Sequence, residues 1–324
     1  MKNNLNIIDM HCDTLLACLH HDETLDVLQN CHITSDLLKK GGCMVQCLAG
    51  FIVSGKDWLD WYGWDYTPYE LYKKLVERFN LEMEHGKDYI RPVRSKADIL
   101  KNVEEGMMSA LFTIEDCMPL DGRIERVDEM YNDGVRIASI TWNHENSLAY
   151  PNRPDPEEHM KGLKPFGVDA IRRMFQLGII PDVSHLSEGG FWDLVKLSKE
   201  AGKPFVATHS CARALCSHQR NLTDEQLKAV GECGGMVGVN FLSDFLVDGA
   251  TYTSVDDVVR HMVYIADKAG VEALGFGSDF DGIECGLEFE NYGGFPMILE
   301  AASKHFTARE MDMICHDNFL RIIV

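Results

Sequence analysis

Short apolar runs bounded by turn residues alternate along this chain with longer segments of helical period. Eight runs have the length and composition of buried strands. They lie at 6–10, 44–52, 110–114, 137–141, 179–183, 204–208, 236–240 and 273–277. Strands that alternate with helices are typical of βα units and a parallel sheet. Eight of them predict an α/β fold, a closed (β/α)8 barrel of the TIM type.

The outer layer of such a barrel is predicted from amphipathic segments at 67–84, 124–131, 167–177, 189–201, 223–230 and 255–269. Thr223 and Ser254 are followed by acidic residues, a pattern that indicates helix starts. Gly178, Gly202 and Gly270 stand where helices should end. Because no repeat or linker divides the chain, residues 1–324 are expected to form a single barrel domain. Residues 150–165 are predicted to be a long exposed loop beside the site, and the aromatic-rich 58–69 is predicted to be a second element of the rim.

The composition fits a soluble globular protein, with 45% hydrophobic and 25% charged residues in 324. A net charge of −20 argues against nucleic acid and anionic membranes as partners. The N-terminal segment has no long apolar signal core, and no stretch is long enough for a membrane helix. Eleven cysteines without CxxC pairs suit a reducing compartment and exclude a zinc ribbon. A cytoplasmic location is therefore expected.

Side chains able to bind metals follow the predicted strands at their carboxyl ends, where barrel enzymes place their sites. These side chains are His11, Asp13, Glu115, His185, His209 and Asp279. His11 and Asp13 are two residues apart, so an extended backbone directs both side chains the same way. A lone histidine at a strand end is more often a structural residue, and HxD is a short pattern. The joint placement on separate strands is the informative signal.

Three histidines among carboxylates form the nitrogen and oxygen ligand set that suits zinc and related ions. A carboxylate bridging two ions would leave room for a bridging water between them. Two cations would lower the pKa of that water and stabilise the oxyanion formed from an attacked carbonyl. The residues alone therefore predict a binuclear metallohydrolase.

Several longer motifs resemble the membrane dipeptidase family (renal dipeptidase-like, peptidase family M19), in the manner of a soluble bacterial member. They are IIDMHCDTL, KKGGCMVQ, LFTIED, GLKPFG, DVSHLSEGGFWD, ATHSCARALCSHQRNLTDEQL, GGMVGVNF, LGFGSDFDG and DNFLRII. The similarity spans nearly the whole chain. It implies a zinc-dependent dipeptidase that hydrolyses the peptide bond of dipeptides, including those with a C-terminal D-residue.

The resemblance also implies roles for individual residues. His11, Asp13 and Glu115 would hold one Zn2+, and Glu115, His185 and His209 the second, with Glu115 as the bridge. Asp279 matches the acidic residue that accepts or donates the proton. Arg220 matches the arginine that binds the carboxylate of the substrate. Alanine at Arg220 should chiefly weaken binding, and alanine at Asp279 should chiefly lower turnover.

Three features depart from the family pattern. Glu115 precedes Asp116 where relatives usually have glycine. The histidine that contacts substrate after the fourth strand is not in its usual place beside threonine, so His144 or Asn143 is expected to replace it. The signal peptide and lipid anchor signal of secreted members are not expected in this chain.

Two other functions stay open at this point. One is a binuclear metallohydrolase acting on another amide or a lactam, although deaminases and cyclic amidases normally carry HxH and this chain has HxD. The other is a non-catalytic protein that binds metal or peptide on the same scaffold. A homodimer is also possible from the sequence, with the aromatic residues Trp58, Trp61 and Trp64 as an interface or as a substrate wall.

Overall fold

The computed structural model describes residues 6–53 and 60–323. Eleven strands lie in these ranges: β1 Ile7–Asp9, β2 Cys43–Phe51, β3 Ile90–Val93, β4 Met108–Glu115, β5 Ile137–Ser139, β6 Ile180–Asp182, β7 Val206–Ala207, β8 Met236–Val239, β9 Tyr252–Thr253, β10 Leu274–Phe276 and β11 Gly286–Leu287. Eight of them pair in parallel in the order β1-β2-β4-β5-β6-β7-β8-β10, and β10 pairs with β1 again. The predicted (β/α)8 barrel is confirmed.

The helices that surround the barrel are α1 Thr14–His21, α2 Ser35–Gly41, α3 Pro68–His85, α4 Lys96–Glu104, α5 Glu125–Asp133, α6 Pro156–His159, α7 Pro165–Leu177, α8 Glu188–Ala201, α9 Asp224–Glu232, α10 Ser243–Leu246, α11 Val255–Ala269, α12 Phe295–Ala302, α13 Ala308–Asp312 and α14 Asn318–Ile322. Thr223 and Ser254 form capping boxes at α9 and α11. Gly178, Gly202 and Gly270 end α7, α8 and α11, as predicted. The described part of the chain contains no helix with the length and hydropathy needed to cross a membrane.

Three strands were not predicted: the short β9 and β11, which pair with each other outside the barrel, and β3. β3 pairs with Met108–Leu111 of β4, whereas β5 pairs with Thr113 and Ile114 further along the same strand. Because β2 occupies the other edge of β4, β3 and β5 divide one edge between them. β3 contains Arg91 and Pro92, and its two central residues are not buried, so it lacks the apolar run of a barrel strand.

The barrel strands carry the core on both of their faces. Every residue of β2 and β4 is buried, as expected for parallel strands between a packed interior and a layer of helices. A separate cluster joins several strands to the C-terminal helix, through Ile8, Leu111, Ile180, Val206, Met236 and Phe319. The carboxyl ends of the parallel strands therefore form a rigid rim from which loop residues project.

The two segments predicted beside the site differ in how far the structure describes them. Residues 150–165 are mostly irregular, as predicted, but they include the short helix α6. Of the aromatic-rich segment, Trp61 and Trp64 are described, and Trp58 lies outside the described residues.

Candidate metal centre

Glu115 ends β4 at the centre of the rim, and its side chain is buried. Its Oε2 lies 3.4 Å from His11 Nε2. Its Oε1 lies 2.9 Å from His185 Nε2 and 3.6 Å from His209 Nε2. The two oxygens of one carboxylate thus face two different groups of side chains, which is the arrangement of a bridging ligand.

Asp13 and Asp279 complete the group around His11. The Oδ1 atoms of both aspartates lie 3.8 Å from His11 Nε2. The chain is held there by the loop after β10, because the Asp13 amide donates to Phe280 O at 2.9 Å and the Asp279 amide donates to His11 O at 3.2 Å. The two-residue spacing of His11 and Asp13 therefore brings both side chains to the same centre, as the sequence predicts.

The spacing of these atoms fits metal ions. Ligand atoms about 2.1 Å from one tetrahedral zinc lie about 3.4 Å from each other. The distances from Glu115 to the histidines, and the 3.0 Å between His185 Nε2 and His209 Nε2, fall near that value. Within the described ranges, His11 Nε2 and Asp13 Oδ1 are buried without a hydrogen-bond partner. The donor set, its geometry and its unsatisfied atoms all fit a cation.

The charges at this centre also favour cations. Burial raises the pKa of Asp13 well above its ordinary value, and the neighbouring Glu115 charge raises it further. Burial and Glu115 likewise raise the pKa of Asp279. Burial lowers the pKa of His11, but Glu115, Asp13 and the other nearby carboxylate raise it to about 10. The buried Asp13 and Glu115 and the partly buried Asp279 thus attract the nearest positive charge, and a metal ion would stabilise all three carboxylates as anions.

Hydrogen bonds fix the orientation of two of the histidines. The Thr208 hydroxyl donates to Asp182 at 2.7 Å and lies 2.8 Å from His209 Nδ1, so it accepts a hydrogen bond from that nitrogen. Asn143 Oδ1 lies 3.1 Å from His185 Nδ1 and accepts from it. Both rings therefore carry the proton on Nδ1 and direct an unprotonated Nε2 towards Glu115, the tautomer that binds metals.

Two buried aspartates beneath the centre were not predicted from the sequence. Asp9 accepts hydrogen bonds from the amide and the hydroxyl of Ser278, at 2.8 and 2.6 Å, and so ties the end of β1 to the loop after β10. Asp182 accepts from the amides and hydroxyls of Ser184 and Thr208. Both act on strand ends that carry proposed ligands, and the only sequence signal is an acid two to three residues before each ligand.

The departure at Asp116 has a structural explanation. Asp116 has φ of 75°, in the left-handed region that favours glycine, the residue usual in relatives. Aspartate tolerates this region better than most residues. Its Oδ1 accepts from the Asn146 side chain at 2.7 Å and from the Met118 amide at 2.8 Å. Asp116 therefore holds the loop after β4 and leaves Glu115 directed at the centre.

Gly282 leaves the space that the aspartates need. A Cβ at this position would lie 2.1 Å from Asp13 Oδ2 and 2.8 Å from Asp279 Oδ1. We expect Gly282→Ala to weaken metal binding by about 10- to 100-fold, because the carboxylates must move. Metal titration monitored by calorimetry would measure this.

Gly249→Ala is the matched control, since Gly249 has φ of 71° and open space around its Cβ position. This change should cost about 1 to 2 kcal/mol of stability through backbone strain alone. It should leave metal affinity unaltered. Equal metal affinity in Gly282→Ala and the wild type would contradict the steric argument.

A cavity of about 640 Å³ opens above the centre, and Glu115, Asp13, His185, Asp279 and Arg220 all reach it. Arg220 lies in the loop after β7, where its Nη2 is 2.8 Å from His185 Nε2. The structure thus brings together the five proposed ligands with Asp279 and Arg220.

The two candidates after the fourth predicted strand lie in different places. Asn143 lines the cavity and contacts His185. His144 is not among the lining residues, and its ring lies 5.7 Å from that of Trp142. Asn143 is therefore the better placed of the two for contact with a substrate.

A (β/α)8 barrel with buried histidines and carboxylates at its carboxyl rim defines a metal-dependent hydrolase. The model of the membrane dipeptidase family, peptidase family M19, matches residues 1–324. The chain belongs to this family and is a metallodipeptidase, so the resemblance seen in the sequence is confirmed.

Relatives and solved structures agree with this assignment. A Klebsiella pneumoniae protein of the pqqA 5′ region, itself uncharacterised, is 34% identical over 249 residues, which cover 74% of this chain and 90% of the relative. An uncharacterised dipeptidase of Schizosaccharomyces pombe is 32% identical over 217 residues, covering 65% of this chain and 47% of that protein. The fold is shared with a Rhodobacter sphaeroides metallopeptidase bound to a phosphinate mimic of L-Ala-D-Ala (TM-score 0.89, 24% identity, 98% of each chain). It is also shared with a family M19 dipeptidase AC (TM-score 0.87, 23% identity, 98% of each chain).

Proposed function

We propose that this chain is a zinc-dependent dipeptidase with two Zn2+ bridged by Glu115. The observation that carries the proposal is the division of the Glu115 carboxylate, with Oε2 facing His11 and Oε1 facing His185 and His209. Asp13 would complete the first site. When bound, the two ions would acidify a water and polarise the scissile carbonyl. Residues 1–324 would act as one catalytic domain.

Arg220 would bind the free carboxylate of the dipeptide. Its side chain is buried, and its Nη1 finds no hydrogen-bond partner within residues 6–53 and 60–323. A buried guanidinium with an unpaired donor is costly unless a ligand satisfies it. If the Nε2 lone pair of His185 is committed to a metal, both Nη groups become available for a bidentate carboxylate.

Asp279 would carry the proton of the reaction. It lines the cavity, and its Oδ2 accepts a hydrogen bond from Asn240 Nδ2 at 2.8 Å while Oδ1 faces the centre. One oxygen is therefore anchored and the other is free to take a proton from the attacking water and to give one to the leaving amine.

The first test uses metal-stripped protein and a panel of L,L and L,D dipeptides, assayed for free amino acid before and after zinc is added. The L,D members are included because the Rhodobacter peptidase was crystallised with an L-Ala-D-Ala mimic. Cleavage of dipeptides that depends on zinc would support the proposal. Two bound metals without cleavage would favour another amide or lactam as substrate, or a binding protein. A homodimer and a cytoplasmic location stay predictions from the sequence.

Changing Arg220 to methionine should raise KM for dipeptides by about 30- to 100-fold, because one charge-assisted pair in a buried site is lost. The turnover number should change much less. Steady-state kinetics would measure both values.

Dipeptide amides provide the control, since they lack the carboxylate and have the same scissile bond. Hydrolysis of these amides should be nearly equal in the wild type and in Arg220→Met. An unchanged KM for the free dipeptides would show that Arg220 does not bind the carboxylate.

A further inference from the structure

One side of the cavity is built from aromatic rings. Phe51, Trp61 and Trp142, which we call the aromatic wall, all line it. The Phe51 and Trp142 ring centroids are 4.9 Å apart with an interplanar angle of 64°. Those of Trp61 and Trp142 are 6.0 Å apart at 83°. Edge-to-face contacts of this kind hold the rings in fixed positions.

The exposure of Trp61 shows that the wall is more than core packing. Its side chain is 53% exposed and still borders the cavity, while Phe51 behind it is 7% exposed. Burying an indole is strongly favourable, so a tryptophan held at the cavity mouth offers apolar surface to a ligand. The wall thus has a buried base and an open edge.

The position of the aromatic wall relative to Arg220 decides which part of a dipeptide would contact the wall. The Trp142 ring lies 6.2 Å from the His185 ring, and Arg220 Nη2 lies 2.8 Å from His185 Nε2. Both residues therefore flank the same histidine. An amino acid whose carboxylate Arg220 bound would therefore have its side chain near the wall.

The apolar residues on the other side of Arg220 are less suitable. Phe245 is 7% exposed, and its ring is already covered by the Arg220 guanidinium at 5.3 Å and by the His218 ring at 4.4 Å. Its faces are occupied, so little of it can contact a substrate. Near the loop after β10 the cavity is lined by the polar residues Asp281 and Glu284.

We propose that the aromatic wall binds the side chain of the C-terminal residue, and that this enzyme prefers dipeptides whose C-terminal residue is large and apolar or aromatic. The inference rests on the proposed function, because it takes the carboxylate position from Arg220. The substrate class is then defined by a charged carboxylate and a bulky hydrophobic group on the same residue.

Kinetics on a series L-Ala-X, with X as Gly, Ala, Leu and Phe, tests this preference. In the wild type, kcat/KM should rise from Gly to Phe by about 10-fold or more, as expected when a large side chain enters an apolar site. Trp61→Ala and Trp142→Leu should flatten the series, with kcat/KM falling about 10-fold more for Ala-Phe than for Ala-Gly. Trp192→Ala, at a tryptophan of α8 that is 38% exposed and packs on Phe191, is the matched control and should keep the wild-type slope.

Equal kcat/KM for every X in the wild type would overturn the inference without contradicting the proposed dipeptidase function. An equal loss for every X in both wall variants would also overturn it, since that result indicates a structural role. Phosphinate mimics of Ala-Gly and Ala-Phe, titrated into metal-loaded protein, give a readout independent of turnover and should bind in the same order. If the protein neither cleaves dipeptides nor binds the mimics, the proposed function itself fails.

Discussion

Asp279→Asn should lower kcat for a dipeptide by about 100- to 10,000-fold, the usual contribution of a positioned acid or base, with little change in KM. The amide keeps the shape of the side chain but cannot take up the proton. Asparagine is also the appropriate replacement for the backbone, because Asp279 has φ of 62° and asparagine tolerates this region. Alanine would add strain at this position and confuse the two effects. Steady-state kinetics with zinc analysis would separate turnover from metal loss.

Asp121→Asn is the control for the backbone. Asp121 has φ of 48° and an exposed side chain, and it does not line the cavity. This change should leave both kcat and the zinc content near the wild-type values. If Asp279→Asn keeps two zinc ions and wild-type turnover, Asp279 does not carry the proton.

The fold could be predicted because the strands and helices of a barrel each have a characteristic period of apolar residues. Each barrel strand is a short apolar run, and the helices between them have apolar faces, several with side-chain caps such as Thr223 and Ser254 or glycine ends such as Gly178 and Gly202. β3 was not predicted because Arg91 and Pro92 interrupt its apolar run and only its two end residues are buried. The pairing of β3 with the first half of β4 is a tertiary contact that local sequence does not encode.

The proposed ligands of the site could be predicted from the sequence, whereas the residues that orient them could not. The proposed ligands follow strand ends, so topology alone brings His11, Glu115 and His185 to one rim. The residues that orient them left weaker signals, because Asp182 acts through Thr208 on another strand. The role of Gly282 depends on the 2.1 Å that would separate a Cβ at this position from Asp13 Oδ2, and no pattern along the chain predicts such a distance.

Tertiary contacts also distinguish Asn143 from His144. The two are adjacent in sequence and chemically suited to the same task. In the structure, Asn143 reaches His185 Nδ1 and the cavity, whereas His144 packs beside Trp142. The direction of a loop, which depends here on the hydrogen bonds of Asn146 to Asp116 and Ile140, decides which residue can act.

Glu115→Gln should reduce the zinc content below two per chain and lower kcat/KM by on the order of 1000-fold, because one carboxylate is expected to serve both ions and to set the position of the reacting atoms. The glutamine keeps one oxygen and turns a nitrogen donor towards His11 or towards His185 and His209. The increase in Tm on adding zinc should also be smaller than in the wild type, since stabilisation by a bound ligand grows with the logarithm of its affinity.

The neighbouring residue provides a control of the same chemistry. Asp116→Asn also replaces a buried acid by its amide, at a residue with φ of 75° that asparagine tolerates. Its oxygen can still accept from Asn146 and the Met118 amide, so two zinc ions and activity within a few-fold of the wild type are expected. Metal analysis, kinetics and thermal unfolding of the two variants would be compared. Two tightly bound zinc ions in Glu115→Gln, with activity retained, would show that the centre does not depend on a bridging carboxylate. Glu115 is assigned to both metal sites only because its two carboxylate oxygens face different histidines.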